Sequence, residues 1–123
     1  MKKKKHDNRY QSNLNNFEAQ FKRSTIPLLV LELLSERDMY AYEIIQETLT
    51  RTNGQYKMPL LYTVLNKLQA QGYVLESRKE ISKDNRVRNY YAVTEEGKQY
   101  LSELKKLYSV LTESVMQICI MKD

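Results

Sequence analysis

The chain has 123 residues, of which 41% are hydrophobic and 28% charged, with a formal net charge of +5. That length and balance describe one ordinary globular domain, small enough that pairing with a second copy would help to stabilise its modest core. A single His, a single Cys and three Gly leave no metal-ligand cluster, no phosphate-cradling glycine loop and no nucleophile–base pair, so no catalytic residue, metal or cofactor is expected.

The charge is unevenly spread. Residues 1–13 carry five Lys/Arg against one Asp, and residues 51–91 carry eight against three Asp/Glu. The intervening and final segments are slightly acidic. Such segregation is the footprint of a polyanion-binding face; a solvated basic surface is the plainer alternative. No apolar run reaches membrane-spanning length, so no membrane partner is expected. Lys2 to Lys5 lead into no hydrophobic segment, and the lone Cys119 can form no internal disulfide. A cytoplasmic location is the simple expectation.

Residues 1–13 read as a flexible basic arm, or as a terminal segment without a role. Leu14, Phe17 and Phe21 then recur at spacings of three and four, one helical face over about Asn15 to Lys22. A first full helix is predicted from about Ser24 to Ser35, with Pro27 at its start or at a kink. It is apolar nearly all round and so must be buried on several sides. Asp38 can cap a second helix carrying Tyr42, Ile44, Ile45 and Leu49. Pro59 suits the first position of a third helix, Leu61, Val64, Leu65 and Leu68 its core stripe, and Gly72 its left-handed stop.

Tyr73 to Glu80 and Arg86 to Val93 flank Ser82-Lys83-Asp84-Asn85 as a β-hairpin. Thr94 caps the last helix, in which Gly97 is a weak point. There Leu101, Leu104, Tyr108, Leu111, Val115 and Ile118 follow a 3-4-3-4-3 spacing, a heptad seam. A helix from about Glu95 to Ile120 is about 39 Å long, too long for the small domain before it to cover. Its stripe needs a partner, most simply a second copy, with the chain's own first helix as the alternative. Phe17 and Phe21 join this seam as dimerisation candidates.

The predicted fold is therefore mostly α with a small β-hairpin, in the α+β class. A winged helix-turn-helix would occupy residues 14–93 and a dimerisation helix residues 94–123. In that layout a helix enters the DNA major groove and the basic ribbon rests on the backbone. Tyr62, Thr63, Asn66 and Lys67 lie opposite or beside the third helix's apolar stripe. Asn66 could pair with an adenine edge, whereas Tyr62 and Thr63 suit phosphate. Leu60 fits a thymine methyl or a buried contact equally well. Lys83, Arg86 and Arg88 sit at or near the wing tip, where cations neutralise phosphates or enter the minor groove.

Three segments carry a resemblance. Tyr40-Ala41-Tyr42-Glu43-Ile44 is similar to the Tyr-Gly-Tyr-Glu-Ile that opens the second helix in the PadR family of bacterial transcriptional regulators. The run from Leu61 to Leu68, with Gly72-Tyr73-Val74, resembles that family's recognition helix and strand entry. Arg86 to Gly97 resembles its wing and the start of its last helix. The likeness spans about residues 24–118. Ala41 stands where glycine is usual, Pro59-Leu60 where the family often has a small residue and Thr or Ser, and Asp84-Asn85 where glycine is common. At Leu60 a hydroxyl that would bind phosphate is thus missing.

The resemblance implies a homodimer that binds a palindromic operator in double-stranded DNA, usually as a repressor. The single helix after the wing is similar to the family's compact branch, some of whose members bind flat aromatic effectors at the dimer centre. Tyr100 and Tyr108, near the seam, are the candidates for stacking on such a ligand; a filled core is the alternative. A winged-helix protein-interaction module without DNA binding is the other reading of the whole chain.

Overall fold

The computed structural model describes residues 3–120, with side chains described from Asn8 to Ile120. Met1, Lys2 and the side chains of Lys3 to Lys5 lie outside the described residues. The elements run α1 (Lys3–Glu36), β1 (Met39–Tyr40), α2 (Ala41–Arg51), α3 (Leu61–Ala70), β2 (Val74–Ile81), β3 (Val87–Val93) and α4 (Glu95–Cys119).

Helix α1 departs from the sequence expectation in two ways. The supposed arm is helical from Lys3, and the two expected helical segments are one helix of 34 residues with Pro27 inside it. The proline removes one backbone donor, yet the chain stays helical because its next turns are locked in the core. Val30, Leu31, Leu33 and Leu34 are all buried there. In the turn before Pro27 the hydroxyls of Ser24 and Thr25 both donate to the Phe21 carbonyl, at 2.8 and 2.9 Å.

The strand β1 was not expected. It has only two residues and pairs with β3, Met39 opposite Tyr91 and Tyr40 opposite Tyr90. The sheet is antiparallel with the order β1-β3-β2, so β3 is central and β2 is an edge. Tyr40, not Asp38, is the N-cap residue of α2, and its backbone N–H donates to the Glu43 carboxylate at 3.2 Å. Asp38 is instead paired with Arg78 at 3.5 Å.

Helix α2 ends at Arg51 with Thr52 as its C-cap, and Asn53 beyond it adopts φ 52°. Gly54 N–H then donates to the Leu49 carbonyl at 2.8 Å, closing the helix end in a left-handed turn. Helix α3 begins at Leu61, with Pro59 in the turn just before it rather than at its first position. Gly72 supplies the expected left-handed stop at φ 85°. Its N–H bonds to the Gln69 carbonyl and that of Tyr73 to the Leu68 carbonyl, at 3.0 and 2.9 Å.

One core unites these pieces. Leu31 of α1, Met39 of β1, Ile44 of α2, Leu61 and Leu65 of α3, Val74 of β2 and Tyr91 of β3 pack in a single cluster. Leu101 belongs to it as well, only 6% exposed. This corrects its assignment to the dimer seam. Helix α4 crosses α1, with Lys105 bonded to Glu32 at 2.8 Å, so its first turns lie against the domain. Leu104 is half-buried, and the stripe is exposed from Tyr108 onward. Among the described residues no helix is long and apolar enough to cross a membrane.

Candidate nucleic-acid interface

Helices α2 and α3 are joined by residues 52–60 and followed directly by the β2–β3 ribbon. Leu61, Leu65 and Leu68 turn inward and are buried. Helical spacing then forces Tyr62, Thr63, Asn66 and Lys67 outward, and all four are exposed. Sequence reasoning placed this face correctly.

The wing tip is a three-residue loop. Ser82 N–H donates to the Arg86 carbonyl at 2.8 Å and Asn85 N–H to the Ser82 carbonyl at 2.9 Å. Asn85 takes the left-handed position at φ 64°, which asparagine tolerates better than most residues. Lys83 and Arg86 project from this loop into solvent. Arg88 does not belong to the tip. It lies on the central strand opposite Glu80, half-buried, with its guanidinium centre 4.6 Å from the Tyr40 ring centroid. Its charge is presented from the face of the sheet, held in place by the aromatic ring.

The cations divide into two sets. Arg37 and Arg51 pair with Glu36, Glu43 and Glu47, bracing α1 against α2. Arg78 pairs with Asp38 and Glu80 and covers the Tyr90 ring at 3.9 Å. Arg78's hydrogen bond and charge hold the Glu80 carboxyl below its usual range, and burial pushes the Tyr90 hydroxyl up. Among the described residues, Lys67, Lys83 and Arg86 form no ion pair. Lys79, exposed on β2, is likewise unpaired; the sequence reading overlooked it, although its place in the basic hairpin was a signal. The paired cations link neighbouring elements, while Lys67 of α3 and Lys79, Lys83 and Arg86 of the wing are left facing solvent.

Tyr90 and Tyr91 point to opposite faces and both are buried. Tyr91 lies in the core and Tyr90 under Arg78, edge-on to Tyr40 at 5.2 Å. The two tyrosines expected at an effector site are separated. Tyr100 stacks on Tyr73 at 4.3 Å with an interplanar angle of 5°, whereas Tyr108 is 40% exposed farther along α4. A groove of about 700 Å³ lies elsewhere, between α1 and the α2–α3 connection, lined by Glu18, Lys22, Ile26, Tyr56 and Met58 among others. Tyr56 closes one side through a 2.6 Å hydroxyl–hydroxyl bond to Thr25.

A helix pair, a second helix with an exposed polar face and a basic antiparallel ribbon define a winged helix-turn-helix protein. The transcriptional regulator PadR-like family model matches residues 30–103, and the chain belongs to that family. It is 37% identical over 95 residues to an uncharacterised protein of Lysinibacillus sphaericus, covering 76% of this chain and 86% of that one. It is similar to a PadR-like transcription factor of Bacteroides fragilis, with a TM-score of 0.67 and 26% identity over 84% of this chain and 98% of that one. It is also similar to Bacillus subtilis PadR, solved in complex with operator DNA. There the TM-score is 0.57 and the identity 25%, over 65% of this chain and 47% of that one.

Proposed function

We propose that this chain is a sequence-specific, homodimeric DNA-binding repressor acting on a palindromic operator from the cytoplasm. The observation that carries the reading is the exposed face of α3, set beside wing cations that no carboxylate neutralises. Tyr62, Thr63 and Lys67 suit backbone phosphates, Asn66 a base edge, and Lys83 and Arg86 the phosphates or minor groove beside the site. Arg88 would act from the sheet face.

Two exposed apolar stripes support the dimer. Phe17 and Phe21 on α1 are 68% and 41% exposed, in register with Tyr10 and Leu14. On α4, Tyr108, Leu111, Val115 and Ile118 are exposed along one seam. An isolated chain would leave both stripes in water; a second copy covers them and sets two α3 helices on one side of a duplex. For an aromatic effector, Tyr108 and Tyr100 are the candidate stacking surfaces, 40% and 37% exposed, with one face of Tyr100 already stacked on Tyr73.

Footprinting on the DNA upstream of the chain's own gene tests the reading. Protection should fall in two half-sites related by a twofold axis, about 34 Å apart. Absence of protection, or one asymmetric patch, would contradict it.

A further inference from the structure

We infer that Leu60 reads a thymine methyl group in the major groove, one in each half-site. The inference rests on the DNA-binding reading of α3 and adds to it a residue that fixes base identity. Leu60 is the N-cap residue of α3, yet it makes no side-chain cap hydrogen bond. It is 69% exposed, and this removes the buried contact left open by the sequence.

That exposure is built in by the residues before it. Met58 is 2% exposed and holds φ 55°, a left-handed conformation uncommon for a side-chain-bearing residue. Its sulfur lies 3.7 Å from the Thr48 hydroxyl, whose proton goes to the Ile44 carbonyl at 2.7 Å, so packing in the core anchors it. Pro59 then fixes its own φ. With Met58 pinned inside and Pro59 stiff, the chain turns and sends Leu60 outward.

Helical spacing places Leu60 in one row with Thr63 and Lys67, next to Tyr62 and Asn66. It is therefore the first residue of the face that would enter the groove. In helix-turn-helix readers the N-terminal residues of the second helix touch base edges. Leucine can neither bond a phosphate nor pair with a base edge. The apolar feature that the major groove offers it is the thymine C5-methyl.

The test starts by selecting duplexes from a randomised pool with the full chain. Each thymine of an enriched duplex is then replaced by deoxyuridine, which removes only the methyl group. The wild-type chain should lose about fourfold in affinity at one thymine per half-site, the value of one buried methyl group. Leu60→Ala should bind both duplexes alike, and Leu60→Met, which keeps an apolar reach, should retain the loss. Circular dichroism of the variants should match wild type, since the side chain packs on little. Deoxyuridine without effect on the wild type, or an equal loss in Leu60→Ala, would overturn the role of Leu60 alone. Failure to enrich any duplex would overturn the DNA-binding reading beneath it.

Discussion

The carbonyl oxygen of Tyr73 occupies the space that a side chain on Gly97 would enter. A Cβ built on Gly97 would collide with that oxygen and lie 2.7 Å from the Val93 side chain. Glycine, a poor helix former and a weak point by propensity alone, is here what lets α4 close against the start of the wing. Gly97→Ala should therefore destabilise the fold by about 1–3 kcal/mol, the usual range for overpacking, and not stabilise it as helix propensity would suggest. Urea unfolding measures the sign directly; an unchanged or raised midpoint would contradict the packing argument.

Thr94 ties three elements together at the same place. Its hydroxyl donates to the Gly72 carbonyl at 2.7 Å and accepts from Gly97 N–H at 3.0 Å. Its backbone N–H donates to the Tyr73 carbonyl at 3.0 Å. Thr94→Ala should cost about 1–2 kcal/mol, at the upper end for a lost cap, because the bond to α3's end goes too. Thr94→Ser should recover most of that in thermal unfolding, since it keeps the oxygen.

Leu101 and Leu111 occupy equivalent-looking seam positions but face different neighbours. Leu101→Ala should lower folding stability by about 2–4 kcal/mol, as a core truncation does. Leu111→Glu with Val115→Glu should leave each chain folded and shift sedimentation from the proposed dimer to monomer. If both changes altered only stability, or only association, the division between core and seam would be wrong.

Arg51 forms a two-pronged pair with Glu36, at 2.7 and 2.9 Å, and holds that carboxyl below its usual range by hydrogen bonding and charge. A carboxyl depressed in the folded state contributes stability that is fully present above its unfolded pKa, ~4.3. The contribution fades as pH falls through the lower folded value. Wild type should thus exceed Glu36→Gln in stability at neutral pH by a small margin, because the pair is exposed. Urea unfolding at decreasing pH should show the margin closing only in the acidic range. A margin unchanged across that range would assign it to packing instead.

Much of this architecture was legible because its signals are local. Leu61, Leu65 and Leu68 define the inward face of α3, and Gly72 marks its end. Asp84 and Asn85 mark the hairpin tip, and Thr94 marks the start of α4. What escaped depends on tertiary context. Pro27 reads as a boundary, but buried leucines just beyond it carry the helix through. The pair Met39–Tyr40 is too short to show a period, and becomes a strand only because Tyr90 and Tyr91 lie alongside. Leu101 continues the heptad spacing, yet where α4 crosses α1 decides that it is core. Arg88 reads as a residue near the tip from its place in the hairpin, but Tyr40 beneath it ties it to the sheet face, and Leu60's exposure follows from the anchoring of Met58, which spacing does not encode.

The central claim is that α3 and the wing neutralise DNA phosphates. Its most direct measurement is the salt dependence of binding to the footprinted duplex, for wild type and Lys67→Ala. The logarithm of affinity should fall linearly with the logarithm of salt concentration for wild type. Lys67→Ala should flatten that slope by about one for each subunit of the proposed dimer. A wild-type affinity indifferent to salt, or an identical slope in Lys67→Ala, would contradict the account.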